Sequence, residues 1–299
     1  MSDAVILPAA QTELPLGDNG YERNLLDQLL VESRLYKSSD EFKALLDFTC
    51  RLRNMAPFNA MLLQIQKPGL NYAASAYDWK HRFQRTVKEK ARPLLIMWPF
   101  GPVALVYDML DTEGKDLPED AFAFYAAGAI DDKRIAAFSG SLASMSIYIK
   151  HYDQGDNDAG FIRRMTTSMD KKTHSTYELG MNRNHTNAMR FVTLAHELAH
   201  LFLGHLGDDK MLQIRGRRPE HRIREIEAES VAYIVCKRNG IEPRSQKYLN
   251  NFIEGIETSE NLDLYAITRA AGHIERLLRL SKSTQWGTDL SWAGNGGFV

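Results

Sequence analysis

His196, Glu197 and His200 stand in the order His-Glu-x-x-His within TNAMRFVTLAHELAHLFLG, residues 186–204. On a helix, histidines four residues apart lie about 40° apart around the axis, so both imidazoles can reach one ion from the same side. Glu197 then lies one step round, where a carboxylate can take a proton from a metal-activated water. The chemistry that uses this spacing is metal-assisted hydrolysis. A five-residue match also arises by chance, and a lone histidine is usually solvated or satisfied, so the surrounding stretch decides. Thr186 offers a polar start and Gly204 a stop. Phe191, Leu194, Ala195, Leu198 and Phe202 repeat at the spacing of one helix face, and together these features predict a helix.

A catalytic zinc ion (Zn2+) takes three protein ligands and keeps one position open. An extended motif would need a glycine and a histidine where this chain has Leu203 and Leu206. His205 would lie about 180° from His196 on a continued helix and cannot share its ion without a break at Gly204. It is expected to be an ordinary histidine near the negative end of the helix. Downstream, EIEAESVAYIVCKR at 225–238 predicts a second helix, with Ala228, Val231, Ala232 and Val235 as its buried stripe. Glu225 and Glu229 border that stripe at i and i+4, where a carboxylate is costly without a partner. Glu227, about 200° from Glu225, is expected to face water. Glu225 is therefore expected as the third metal ligand, and Glu229 as the acceptor that orients a ligand imidazole. The reverse assignment is geometrically possible, as is a solvated pair beside Arg222 and Arg224.

These residues need elements to hold them. The chain has 299 residues with a formal net charge of -1, which excludes a protein that is basic throughout. At this length two modest domains are expected. Cys50 and Cys236 are too few and too scattered for a disulfide framework, and the first residues carry no signal-peptide pattern, so a cytoplasmic location is expected. The longest largely apolar run, 121–130, is about half of the ~20 residues that span a bilayer, so no membrane partner is expected. Residues 1–20 read as a flexible arm. Helices are predicted at 21–35, 39–55, 59–66 and 121–130, and strands at 93–98, 103–109, 146–151 and 177–182. The turn-rich DTEGKDLPED, 111–120, holds the expected boundary between a domain at 21–118 and one at 119–299. The fold class expected is α+β: an N-terminal α+β domain and a mainly helical C-terminal one.

Residues 51–92 hold nine Lys or Arg against two acids, a local charge of +7. Phe58, Tyr72, Tyr77, Trp79 and Phe83 are interleaved with them, and a basic groove with aromatic platforms is what sequence-tolerant binding of single strands requires. A solvated basic face over core aromatics fits the charge pattern equally well. A second basic stretch, Arg215, Arg217, Arg218, Arg222 and Arg224, enters the Glu225 helix, as a solvated loop, a nucleic-acid contact or a substrate clamp.

The words FVTLAHELAHLFLGHLG, REIEAESVAYIVCKRNGIEP and SQKYLNNF resemble the ImmA/IrrE-type metallopeptidases, and more closely the peptidase domain of the ArdC antirestriction family. In that family a glutamate of this second helix supplies the third ligand, which maps onto Glu225. PFNAMLLQIQKPG, AYDWKHRFQRTVKEKARPLLIMWPF and VYDMLDTEGKDLP resemble the ArdC-type single-stranded DNA-binding domain. The resemblance implies a zincin-like zinc endopeptidase with His196, His200 and Glu225 as ligands, Glu197 as base and Glu229 behind the ligands. It also implies DNA contacts at Trp79, Lys80, Arg82, Arg85, Lys88, Lys90 and Arg92. The implied partners are single-stranded DNA and a protein substrate, either a repressor-like or a restriction-related protein. The strand at 177–182 is expected as the edge that accepts an extended substrate. Tyr177, His221 and Tyr233 are unranked partners for the oxyanion. The alternative is a non-catalytic single-stranded DNA-binding antirestriction protein with a structural zinc site.

Overall fold

The computed structural model describes residues 39–52, 54–98, 101–116, 130–153, 160–165, 175–241 and 262–280. The arm at 1–20, the helix at 21–35, most of the helix at 121–130, the 118/119 boundary and SQKYLNNF lie outside the described residues.

The chain is α+β. Helix α1 (Ser39–Arg51) places Asp40 and Glu41 in its first turn and Arg51 in its last, each matching the sign of the helix end it occupies. Helix α2 (Pro57–Gln66) begins on a proline, whose missing N–H costs nothing at the first helical position. Strand β1 (Ala73–Ala74), helix α3 (Ala76–His81), strands β2 (Arg85–Val87), β3 (Leu94–Trp98), β4 (Gly101–Asp108) and β5 (Thr112–Gly114) complete the N-terminal part. An antiparallel sheet has the order β1-β4-β3, and β2 pairs with β5 separately. The outer edge of β3 is covered by side-chain amides from α2. Asn59 exchanges hydrogen bonds with the Met97 backbone (2.9 and 3.1 Å), and Gln66 with that of Leu95 (2.8 Å each way). An edge satisfied in this way offers no template for another strand.

The C-terminal part holds helix α4 (Asp132–Ala143), strands β6 (Ile147–Tyr152), β7 (Gly160–Met165) and β8 (Thr176–Asn182), and helices α5 (Asn187–Phe202), α6 (His221–Arg238) and α7 (Leu264–Leu277). The sheet order is β6-β8-β7, with β6 parallel and β7 antiparallel to β8. Strand β8, expected at an edge, is the central strand. Tyr177, Leu179 and Met181 turn one of its faces into the main core. Glu178 on the other face is buried beneath Lys150 Nζ (2.5 Å), Arg163 Nη2 (2.6 Å) and the Tyr152 hydroxyl (2.8 Å) from the flanking strands.

Those three donors, Lys150 foremost, hold the Glu178 carboxyl at about 2. A carboxyl depressed on folding stabilises the native state above its ordinary value of 4.5, and that contribution is lost as the pH falls from there toward about 2. Glu178→Gln should therefore be less stable than wild type near neutrality and lose less of its stability across that window. Thermal unfolding followed by circular dichroism between pH 2 and 6 measures this, and parallel curves for the two proteins would contradict it.

Helices α1 and α2 serve two cores. Phe42, Leu45, Leu46 and Met61 join α5, α6 and α7 in the main one, while Phe48, Leu52, Ala60 and Leu63 pack on Leu94, Ile96 and Val106. Buried Arg238 of α6 ties the two together. Its guanidinium donates to Glu275 (2.7 Å) and to the carbonyls of Thr49, Leu52 and Met55 (2.8–3.2 Å), closing the carbonyl end of α1. Among the described residues no helix is long and apolar enough to cross a membrane.

Candidate metal centre

Helix α5 is delimited as its sequence predicts. The Thr186 hydroxyl accepts from Met189 N, and the chain leaves the helix at Gly204, whose φ is +78°. A β-carbon at Gly204 would lie 2.2 Å from the Arg215 carbonyl oxygen, so the returning loop also requires glycine there. Phe191, Leu194, Ala195, Leu198 and Ala199 are buried, leaving His196 and His200 half-buried at the border of that face.

His196 Nε2 and His200 Nε2 are 3.1 Å apart, and Glu225 Oε2 lies 3.5 and 3.6 Å from them. Ligand atoms about 2.0–2.2 Å from a tetrahedral zinc stand roughly 3.3–3.5 Å from one another, so these three fit such an ion. They are the group able to hold a metal among the described residues. Glu229 sits behind His196, with Oε1 3.4 Å from Nδ1. The neighbouring imidazoles of His196 and His200 hold Glu225 far below the usual carboxylate range. Burial opposes the charged form of His196, but Glu225, Glu229 and Glu197 outweigh it and raise its pKa. Burial raises Glu197, against the pull of His196 and His200 and a hydrogen bond with the Ile162 backbone of β7. Burial likewise raises Glu229.

Glu227 is the residue that one-face reading of α6 misplaces. Residues 226–236 are enclosed almost all round, because α6 packs against α5, α7 and α1 together. Glu227 is fully buried rather than solvated and accepts from Arg217, so at least that member of the second basic stretch is an internal partner. His205 is also buried, 2.9 Å from His200 through their Nδ1 atoms. The break at Gly204 that would bring it near the site is present, although His205 stays outside the donor group. Two of the three oxyanion candidates are otherwise engaged: the Tyr177 hydroxyl donates to Asp209 (2.7 Å) and that of Tyr233 to Asp47 (2.6 Å). His221 is exposed, 3.8 Å from Glu225 Oε1.

The basic segment divides differently from expectation. Trp79, expected as a stacking face, is 0% exposed, and its indole N–H donates to the Tyr107 carbonyl (2.9 Å). Tyr72, Trp79 and Phe83 contact one another at 5.1–5.7 Å and form the small core between α3 and the strands, which removes Trp79 from any base-stacking role. Arg85 is spent on Thr112 and the Lys115 carbonyl, and Lys88 donates to the Leu110 carbonyl (2.9 Å). Lys80, Arg82, Lys90 and Arg92 are exposed. The accessible aromatic is Tyr77, 64% exposed, with its ring 4.3 Å from that of His81.

Two packed helices over a mixed sheet bring His196 and His200 of one helix and Glu225 of the other together as a group that could hold a metal ion. Residues 141–237 match the family model of the IrrE N-terminal-like domain, a peptidase family, and the match contains the sheet, α5 and every donor. Among solved structures, the Mn(II)-bound antirestriction protein ArdC from a plasmid is 15% identical, with a TM-score of 0.40, over 86% of this chain and 96% of that one. Its metal-free form is 17% identical, with a TM-score of 0.34, over 75% and 82%. No curated protein matches the chain.

Proposed function

We propose that this chain is a zinc-dependent metallopeptidase of ArdC and ImmA/IrrE type, coupled to a region that binds single-stranded DNA. The observation that carries the catalytic half is the convergence of His196, His200 and Glu225 at zinc-ligand spacing, with Glu197 beside them and outside the donor set. When bound, zinc supplies a Lewis acid and lowers the pKa of a coordinated water. Among the described residues three side chains would hold the ion, the number that a catalytic zinc takes from protein. Glu197, raised by burial, takes the water proton and returns it to the leaving amine. Glu229 orients His196 from its Nδ1 side. Since β8 is central, the strand on which an extended substrate adds is β7, the edge that bonds Glu197 through Ile162. The sequence resemblance supports a repressor-like or restriction-related protein substrate and a role in protecting incoming DNA.

The test of catalysis is zinc-loaded protein incubated with a mixture of unstructured peptides, the products read by mass spectrometry. Cleavage that a chelator removes and zinc restores supports the reading. Protein that holds one zinc per chain and cleaves nothing supports the non-catalytic alternative.

The DNA half rests on Tyr77 and the exposed Lys80, Arg82, Lys90 and Arg92. Tyr77→Ala should weaken binding of a single-stranded oligonucleotide about 5- to 150-fold at every salt concentration, since stacking is worth ~1–3 kcal/mol per base. Replacing the four cations by alanine should reduce the salt slope by roughly 0.7 for each phosphate that is no longer neutralised. Trp79→Ala should instead lower stability by about 3–5 kcal/mol, as a large core truncation does. Fluorescence anisotropy at matched salt reads the binding, and tighter binding to duplex than to single strands would contradict this half.

A further inference from the structure

Glu227 and His205 lead from the interior to a metal donor. The Glu227 carboxylate offers only acceptors, and it receives Arg217 Nη1 (3.1 Å), Arg217 Nη2 (2.9 Å) and Asp263 N (3.0 Å). His205 Nε2 stands 3.1 Å from the same carboxylate, and both side chains are almost wholly buried. Beside an acceptor, His205 Nε2 must carry its proton. A neutral imidazole then has only an acceptor left at Nδ1. That atom is 2.9 Å from His200 Nδ1, so the proton between the rings sits on His200. His200 is thereby held with a free lone pair on Nε2, the atom that faces His196 Nε2 and Glu225 Oε2.

We propose that His205 and Glu227 are a positioning relay that fixes the tautomer and ring orientation of His200 as a metal ligand. Behind its partner ligand His196 stands a different group, Glu229, with Oε1 3.4 Å from Nδ1. Arg217 offsets the buried charge of Glu227, which would otherwise be costly so far from water. Asp263 also caps α7 through Ala266 N, so the same carboxylate couples the loop after α5 and the start of α7 to the ligand. Partners of this kind are worth roughly 10–100-fold in metal affinity.

This inference rests on the reading of His200 as a zinc ligand, and its test separates the two. Chelator competition on the full-length chain measures zinc affinity for wild type, His205→Phe and His205→Gln. His205→Phe fills the space with no polar atom and should weaken zinc about 10–100-fold. His205→Gln offers one acceptor and one donor, as the neutral imidazole does, and should recover most of the loss. Imidazole 15N NMR of the zinc-loaded wild type should show Nδ1–H on His200 and Nε2–H on His205. This second readout stands even where a variant fails to fold. Unchanged affinity in folded His205→Phe, or the opposite His205 tautomer, overturns the relay. Wild-type protein that takes up no zinc overturns the metal reading beneath it.

Discussion

Alanine at both His196 and His200 should take the protein from close to one zinc per chain to none. Their Nε2 atoms supply two of the three donors, which leaves half-buried Glu225 as the single remaining member of the group. The fold should survive, since both rings border the buried face of α5 rather than fill it. Elemental analysis with circular dichroism separates loss of metal from loss of structure. In the single variants, Glu225→Ala should cost more affinity than Glu229→Ala, because the former removes a metal bond and the latter an orienting contact 3.4 Å behind His196. The reverse order would exchange the two roles, and full retention of zinc by the double variant would remove the site altogether.

Glu197→Gln keeps the shape and all three donors and deletes the base. Zinc content should remain at one per chain while peptide cleavage falls about 100- to 10,000-fold, the usual contribution of a positioned general base. The loss should lie in kcat more than in KM, because proton transfer is needed in the transition state and not for holding the peptide. Cleavage at the wild-type rate by a zinc-loaded Glu197→Gln protein would refute the role given to Glu197.

Helix α5 was legible because both of its ends and its buried face are written in local residues: Thr186, Gly204 and the run of Phe191, Leu194 and Leu198. Glu225 was legible for a related reason, as its i+4 pairing with Glu229 needs no tertiary information. Glu227 was not, because helical spacing identifies the most apolar face but cannot reveal that other elements close over the remaining one. The relay through His205 follows from the same enclosure, and Gly204 was the local signal that the chain turns back there. Strand β7 is a short GFIRRM whose two arginines break its apolar pattern, and without it the central place of β8 could not be read. Trp79 marks another limit. An aromatic among lysines and arginines looks alike from sequence whether it stacks on bases or anchors a small core, and only the packing of Tyr72 and Phe83 against it decides. Helix α4 carries Ile135, Phe138 and Leu142 at helical spacing, but the intervening small residues of DKRIAAFSGSLA leave that pattern weak.

The most direct test of the metal centre is X-ray diffraction from zinc-loaded crystals, with anomalous differences recorded at the zinc absorption edge. One strong peak should lie within bonding distance, about 2.0–2.2 Å, of His196 Nε2, His200 Nε2 and a Glu225 oxygen, with a non-protein fourth position on the Glu197 side. A peak held by four protein ligands, or one bound anywhere away from these three residues, would contradict it.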